Sequence, residues 1–565
     1  MLDGYYIKKV GQNRGKPRVW LDAQVAKAGM QAGQRYDVIV NGQTVVLQAN
    51  PDGSRIVSGK RSKDGETVNP LIDLNSQELL AIFDGMASVR VAVKQGEIYI
   101  LPLASELKKR ERFTRLKHKL ETGEALTIGS LSHGGGIMTH ALHQGLEAAG
   151  HSTKLAFANE IREELLEHAE LHNDAWSADT KVFAAPMQEL AFDERGIAHI
   201  PKTEILEAGI PCSGASKSGR AKRGLAHAES HPEVGHLVVA ALVIISKANP
   251  AVVAIENVVS YSQSASAEIL RNQLRDMGYV THERVLNGVQ WGTLENRDRW
   301  FMVAVTEGID FNIDQLLPPN AIPRELKDVL DSVPLDDPQW KTMQALKDKE
   351  TRDLAEGKNF KMQTYAENAT SVGTITKGYS KVRSTDPKLR HPTNPDLLRQ
   401  FTVPEHARIK GVPEHLVTGL SATVGHEVLG QGVIHSNVKD LAHHIGNALN
   451  RFAGKDEVPL PNRGMTERPT VPKLVEPVAT IEQIAAEIVG KIDRADEQRG
   501  VYSGQIVAVD GDMFVQDVGR NEGVLHSAQH FDTRPKLGQS VDVQYRGGAA
   551  KVTAREKDKQ MSLSL

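Results

Sequence analysis

The chain holds one cysteine, Cys212, in the run GIPCSGAS. A single thiol excludes an internal disulfide framework and any multi-thiolate metal site. A lone intracellular cysteine is commonly a small buried hydrophobe. Here Pro211 fixes the backbone before it, Gly214 permits a sharp turn after it, and the preceding EILEA reads as a strand. Open α/β sheets place their sites at the carboxyl ends of strands, which makes Cys212 a candidate nucleophile. The polar loop that follows carries Lys217, Arg220, Lys222 and Arg223. Their charge favours thiolate and suits a lid closing over a polyanion.

Three further clusters could do chemistry. AVVAIEN is an apolar strand that ends on Glu256. A carboxyl leaving such a strand must be paired or protonated, which would push it toward a general acid; its plainer role is to cap a helix. In ENRDRWFMVAV, Arg297 and Arg299 alternate, so an extended chain puts both on one side. There they would hold Glu256 and touch a polar base edge, or simply charge a sheet edge. In SLSHGGGIMTHAL, Gly134, Gly135 and Gly136 leave a strand and enter a helix, as a ligand-cradling loop or as a tight turn. Glu160 ends the next strand, TKLAFANE, where a carboxylate suits ribose hydroxyls; the pair favours an adenosine-containing cofactor.

Positioning these residues requires a regular scaffold. From Ala125 to about Thr306, short apolar strands alternate with helices, the pattern of a doubly wound, mostly parallel α/β sheet. Residues 1–103 read as a small β domain, with RYDVIV and QTVVLQA joined at Asn41-Gly42. Residues 104–124 form a basic linker helix, with seven Lys and Arg between Lys108 and Lys119, serving either as a solvated face or as a DNA contact. Residues 125–309 are the catalytic core, 310–395 a polar insertion and 396–454 a return to the core. A Pro-rich linker and short helix, with Thr480 and Gln483 as a capping box, span 455–498. Residues 499–565 are again small β, with an Asp-Gly turn.

At 565 residues the chain predicts three or four domains, and 40% hydrophobic with 25% charged residues is ordinary globular composition. The net charge of −3 excludes nothing, since 68 Lys and Arg remain to be clustered on a nucleic-acid surface. The first residues lack a signal-peptide core and no run of about 18 apolar residues occurs, so a cytoplasmic protein with no membrane partner is expected.

The four clusters, in this order, resemble the DNA cytosine-5 methyltransferase family over residues 125–306 and 396–452. GIPCSGAS is similar to its Pro-Cys motif, IENV to its Glu-Asn-Val motif and ENRDR to its Arg-x-Arg motif. LLRQFTVPEHARIKGVPEH and LGQGVIHSNVKDLAHHIGNAL look like its two late motifs. The resemblance implies a Rossmann-like class I fold and methyl transfer from S-adenosylmethionine to carbon 5 of a cytosine flipped out of duplex DNA, through a covalent Cys212 adduct and with no metal. It implies that Glu256, Arg297 and Arg299 act on the base, and that Leu131, Ser132, Gly134, Gly135, Gly136, Glu160, Pro211, Gln431 and Val433 line the cofactor pocket. Residues 310–395 correspond to its target-recognition region, where Lys377, Lys381, Arg383 and Arg390 would contact DNA. The chain departs from the family at Gly129, Leu131, His133, Ser213, Glu295 and Gln431, and FAAPMQEL carries no evident acidic residue for the adenine amino group. These departures touch the cofactor pocket more than the nucleophile. Other readings on the same fold are a DNA-binding scaffold with impaired catalysis and an RNA cytosine methyltransferase.

The N-terminal domain weakly resembles the swapped-hairpin fold of AbrB-type regulators, which implies a homodimer that contacts DNA. The C-terminal domain looks like the small KfrB-type domain of plasmid-encoded proteins, which would place this protein on a mobile element and near nucleoid or plasmid DNA.

Overall fold

The computed structural model describes residues 2–13, 15–61, 67–75, 81–83, 86–211, 235–319, 324–357, 361–460, 485, 489–510, 513–519, 522–531 and 534–554. Its contacts divide the chain into two compact units, Met1–Gly464 and Met465–Leu565.

Seven strands form the central sheet: β1 (Leu126–Leu131), β2 (Thr153–Glu160), β3 (Lys181–Ala184), β4 (Ile205–Ala208), β5 (Val252–Asn257), β6 (Tyr279–Asn287) and β7 (Asp298–Thr306). Their order is β3-β2-β1-β4-β5-β7-β6. The first five run parallel, and β7 is antiparallel to both β5 and β6. Helices cover both faces, which is why β4 and β5 are buried at every position and read as continuous apolar runs rather than alternating ones. The expected doubly wound, mostly parallel sheet is therefore present.

Eight helices matter here: α1 (Ala104–Thr122), α2 (Ile137–Ala148), α3 (Glu163–His172), α4 (Leu237–Ala248), α5 (Ala265–Asp276), α6 (Val403–Lys410), α7 (Ala422–Gln431) and α8 (His435–Phe452). Leu142 and Leu146 of α2 share one apolar cluster with Leu441 and Ile445 of α8. Ile244 of α4 and Leu270 of α5 share the cluster on the other face. The α2–α8 approach is close enough that a Cβ on Gly145 would collide with the Lys439 carbonyl oxygen, so glycine is required there.

The basic helix α1 is bound to the core by its own charges. Arg112 is buried, donates to Thr306 Oγ1 at 2.8 Å and to the Gly278 carbonyl at 2.9 Å, and lies 4.0 Å over the Tyr279 ring. Arg115 and Lys119 converge on Glu204, at 2.8 and 2.6 Å. Those cations are committed inward, so they act as a strap across the amino edge of the sheet and not as a DNA-facing row.

The N-terminal strands form a sheet of six, in which Thr44–Ala49 lies between Arg35–Asn41 and Glu97–Pro102. Asn41 pairs with Thr44, so the hairpin turn is Gly42-Gln43, one residue later than expected. The turn takes Gly42 at its left-handed position, with φ of 54°. Both strands of this hairpin find their neighbours within one chain. The polar stretch after β7 packs Trp340, Ile375 and Tyr379 into a small core completed by Leu294 and by Phe401 and Ile409 of the return segment.

The second unit contains a six-stranded sheet, mostly antiparallel, with His526 packed among Phe514, Phe531 and Tyr545. Asp510 pairs with Met513, while the turn between them, and the Thr480–Gln483 capping box, lie outside the described residues. Among the described residues no helix is long and apolar enough to cross a membrane.

Candidate active site

The carboxyl edge of the parallel strands gathers the expected residues. β1 ends at Leu131, and Ser132, Gly134 and Gly136 take positive φ values of 55°, 55° and 73° before α2 begins. This left-handed turn swings the chain from strand to helix and leaves Gly134 with open space where a Cβ would be. At the end of β2, Glu160 accepts from the Gly134 amide at 2.9 Å, and its other oxygen accepts from the Ile161 amide at 2.9 Å. One carboxylate thus closes the glycine turn and keeps lone pairs free for further donors. Gln431, the last residue of α7, is exposed, Val433 is buried in the link to α8, and a Cβ on Gly432 would meet Ile137 of α2. The late motif therefore folds back beside the glycine turn.

At the end of β5, Glu256 is buried and its Oε1 lies 3.1 Å from Nε of Arg299 on β7. The neighbouring Asn257 donates to the Ile210 carbonyl at 2.9 Å. This bond ties the exit of β5 to the segment Ile210–Pro211, immediately before Cys212. Cys212, Lys217, Arg220, Lys222 and Arg223 themselves lie outside the described residues.

The two arginines do different things, which corrects the expectation drawn from alternation. Arg299 faces Glu256. Arg297 is buried, donates to the Gly430 carbonyl at 3.1 Å and lies 3.6 Å from Glu295. The reason is local: Arg297 falls between the two-residue strand Glu295–Asn296 and β7, so the period of two does not run through it. Arg297 thereby anchors the end of α7 to this motif.

Sequence reasoning passed over the residues beneath the site. Glu207, on β4, is buried and accepts from Thr139 Oγ1 at 2.7 Å and from Ser130 Oγ. Ser130 Oγ also lies 2.8 Å from Nδ1 of His133. Burial pushes the Glu207 carboxyl up to about 7, with the nearby Glu256 charge adding to the effect. Burial also pushes His133 down to about 3. His133 is thus one member of a buried polar group with Ser130, Thr139 and Glu207. A glutamate inside the otherwise apolar EILEA was the available signal. Glu295, also a departure, is matched by Lys410 at 3.1 Å on α6 and by the Ile375 amide at 3.0 Å. A carboxylate there is stabilised by its own cation, which holds it below the usual carboxylate range despite burial.

In the insertion, Lys377, Lys381, Arg383 and Arg390 are all exposed. Lys388 is instead buried, donating to the carbonyls of Arg383 and Asp386 at 2.6 and 2.7 Å.

The model of the C-5 cytosine-specific DNA methylases matches residues 127–447, more than half of the chain. The chain belongs to that family. The methylase is therefore a DNA cytosine-5 methyltransferase, and membership implies use of S-adenosylmethionine. A KfrB domain model matches residues 501–554 of its second unit. The methylase is 25% identical over 268 residues to the Type II methyltransferase M.NlaX of Neisseria lactamica, covering 46% of this chain and 81% of that one. It is 24% identical over 261 residues to the Type II methyltransferase M.SsoII of Shigella sonnei, covering 44% and 66%. The S. pombe Dnmt2 methyltransferase structure superposes with a TM-score of 0.45 at 18% identity, over 58% of this chain and 99% of that one. The methylase's donor set fits the nucleoside of such a cofactor. An open glycine turn and a carboxylate with spare lone pairs stand side by side at a helix start.

Proposed function

We propose that the methylase modifies a cytosine flipped out of duplex DNA, by nucleophilic catalysis from Cys212. The observation that carries this reading is the Glu256–Arg299 pair, joined through Asn257 to the segment that leads into Cys212. The thiolate adds to carbon 6 of the base. Glu256 hydrogen-bonds ring nitrogen 3 and stabilises the charge that develops there. Arg299 holds that carboxyl in place and reaches the base oxygen, and Arg297 supports it from the α7 side. S-adenosylmethionine, when bound, supplies an electrophilic methyl group to carbon 5. Water then takes the carbon 5 proton as the carbon 6–sulfur bond breaks, which releases the Cys212 thiolate and restores aromaticity.

Gly134, Gly135, Gly136 and Glu160 would hold the cofactor, with Leu131, Ser132, Pro211, Gln431 and Val433 closing the pocket. Lys377, Lys381, Arg383 and Arg390, with the basic residues after Cys212, would contact the DNA. The N-terminal domain is proposed to add a DNA contact or a homodimer interface. The KfrB match favours an element such as a plasmid as the setting, with the protein acting in the cytoplasm.

The test is to incubate duplex DNA and tRNA separately with labelled S-adenosylmethionine and wild-type or Cys212→Ala protein. Label in DNA, lost in Cys212→Ala, is expected. Label in neither substrate overturns the enzyme reading, and label in tRNA alone overturns the DNA reading. Bisulfite sequencing of DNA from expressing cells then reads the target.

A further inference from the structure

We propose that His140, Asp174 and His415 bind a divalent transition-metal ion of the zinc class at a site separate from the reaction centre. One ligand atom from each lies within 4.8 Å of the other two. His140 is buried on the first turn of α2, while Asp174 and His415 are exposed. Asp174 follows α3, and His415 sits in the short turn Glu414–Val417. Nε2 of His140 lies 3.8 Å from Oδ2 of Asp174, and the rings of His140 and His415 are 5.3 Å apart, edge to face.

The second nitrogen of His140 is already engaged. Its Nδ1 lies 2.8 Å from Nε2 of His435, at the start of α8. That contact fixes the ring and leaves Nε2 toward the carboxylate and the second imidazole, with only the Gln144 side-chain amide, at a long 3.4 Å, for the ion to displace. Metal-bound imidazoles are commonly oriented this way, by a partner on the far nitrogen. Two imidazoles and one carboxylate are a borderline donor set, suited to zinc, cobalt or nickel and poor for magnesium or calcium. Three protein ligands leave a fourth, tetrahedral position for water.

Bonds of about 2.0–2.1 Å hold tetrahedral ligand atoms about 3.4 Å apart. The site must therefore contract, and its two exposed side chains are the ones free to move. Lys439 places a positive charge within reach of His140, so the Asp174 carboxylate is needed to favour a cation. An ion here would join α2, the segment after α3 and the 414–417 turn, and through His435 the start of α8. Asn173, beside Asp174, donates to the Gly136 carbonyl at 2.9 Å, so the ion would also brace the glycine turn.

The test uses the full chain, stripped with chelator and titrated with Zn2+ by calorimetry and with Co2+ by visible absorption. One ion per chain, the intense bands of tetrahedral cobalt and a higher melting temperature with zinc are expected. His415→Ala and Asp174→Asn, both at exposed positions, should each weaken binding by ~10–100-fold or more, while circular dichroism stays unchanged. His172→Ala, in a nearby histidine pair, should leave it intact. Absence of binding overturns the proposal. So does equal affinity in the His415 and Asp174 variants, or loss of binding in His172→Ala.

Discussion

Two carboxylates at opposite edges of the same sheet face arginine, and they are built differently. Glu204, at the amino edge, is fully buried and saturated. It takes Arg115 and Lys119, and also the Thr127 amide and hydroxyl, each at 2.8 Å. Glu256, at the carboxyl edge, has Arg299 beside it, and among the described residues its Oε1 makes no hydrogen bond. A buried charge is tolerated when its lone pairs are filled, so Glu204 belongs to the frame. A buried carboxyl left short of partners is costly, and that shortfall is useful only where a ligand completes it. The same residue types therefore mark a strap at one edge and a reaction site at the other.

The comparison breaks most decisively at the reactive edge. Cys212→Ala should abolish methyl transfer, and Glu256→Gln should lower kcat by ~10²–10⁴-fold with little change in melting temperature, measured by label incorporation and calorimetry. At the amino edge the effect should invert. Glu204→Ala strands two cations and should destabilise the protein by ~3–5 kcal/mol in urea unfolding, with kcat of the folded fraction preserved. A large loss of kcat without loss of stability in Glu204→Ala would erase the distinction.

Glu207 offers a pH test between these extremes. Its carboxyl rises from 4.5 to about 7 in the fold, so the folded state keeps a proton that the unfolded chain releases. The stability it contributes is full below about 4.5 and is lost as pH rises through about 7. Glu207→Gln should remove that dependence, gaining up to about 3 kcal/mol over wild type between pH 5 and 8, read by urea unfolding at each pH. A constant difference across pH would refute the buried protonated carboxyl. The smallest effect is expected at the surface. Lys377→Ala or Arg390→Ala should each reduce the salt slope of DNA binding by about one, without moving stability.

Much of the scaffold was legible. Runs such as AVVAIEN and WFMVAV announce strands covered on both faces, and the glycine run after LTIGS announces a sharp entry into α2. Partner choice was not legible. The basic row from Lys108 to Lys119 reads equally as a DNA face or a solvated one; only the fold brings Glu204 and the Gly278 carbonyl to it. The period of two at Arg297 and Arg299 suggested a shared task, but the break in the strand before Asp298 sends Arg297 to the Gly430 carbonyl.

The sequence by itself determined the order of strands and helices and the residue types at the strand ends, because apolar periodicity and turn chemistry are local. Which charge meets which carboxylate was decided only by tertiary structure. His140 and His435 are 295 residues apart, and Arg115 and Glu204 are 89 apart. A contact over such separations depends on how α2, α8 and the sheet pack against one another.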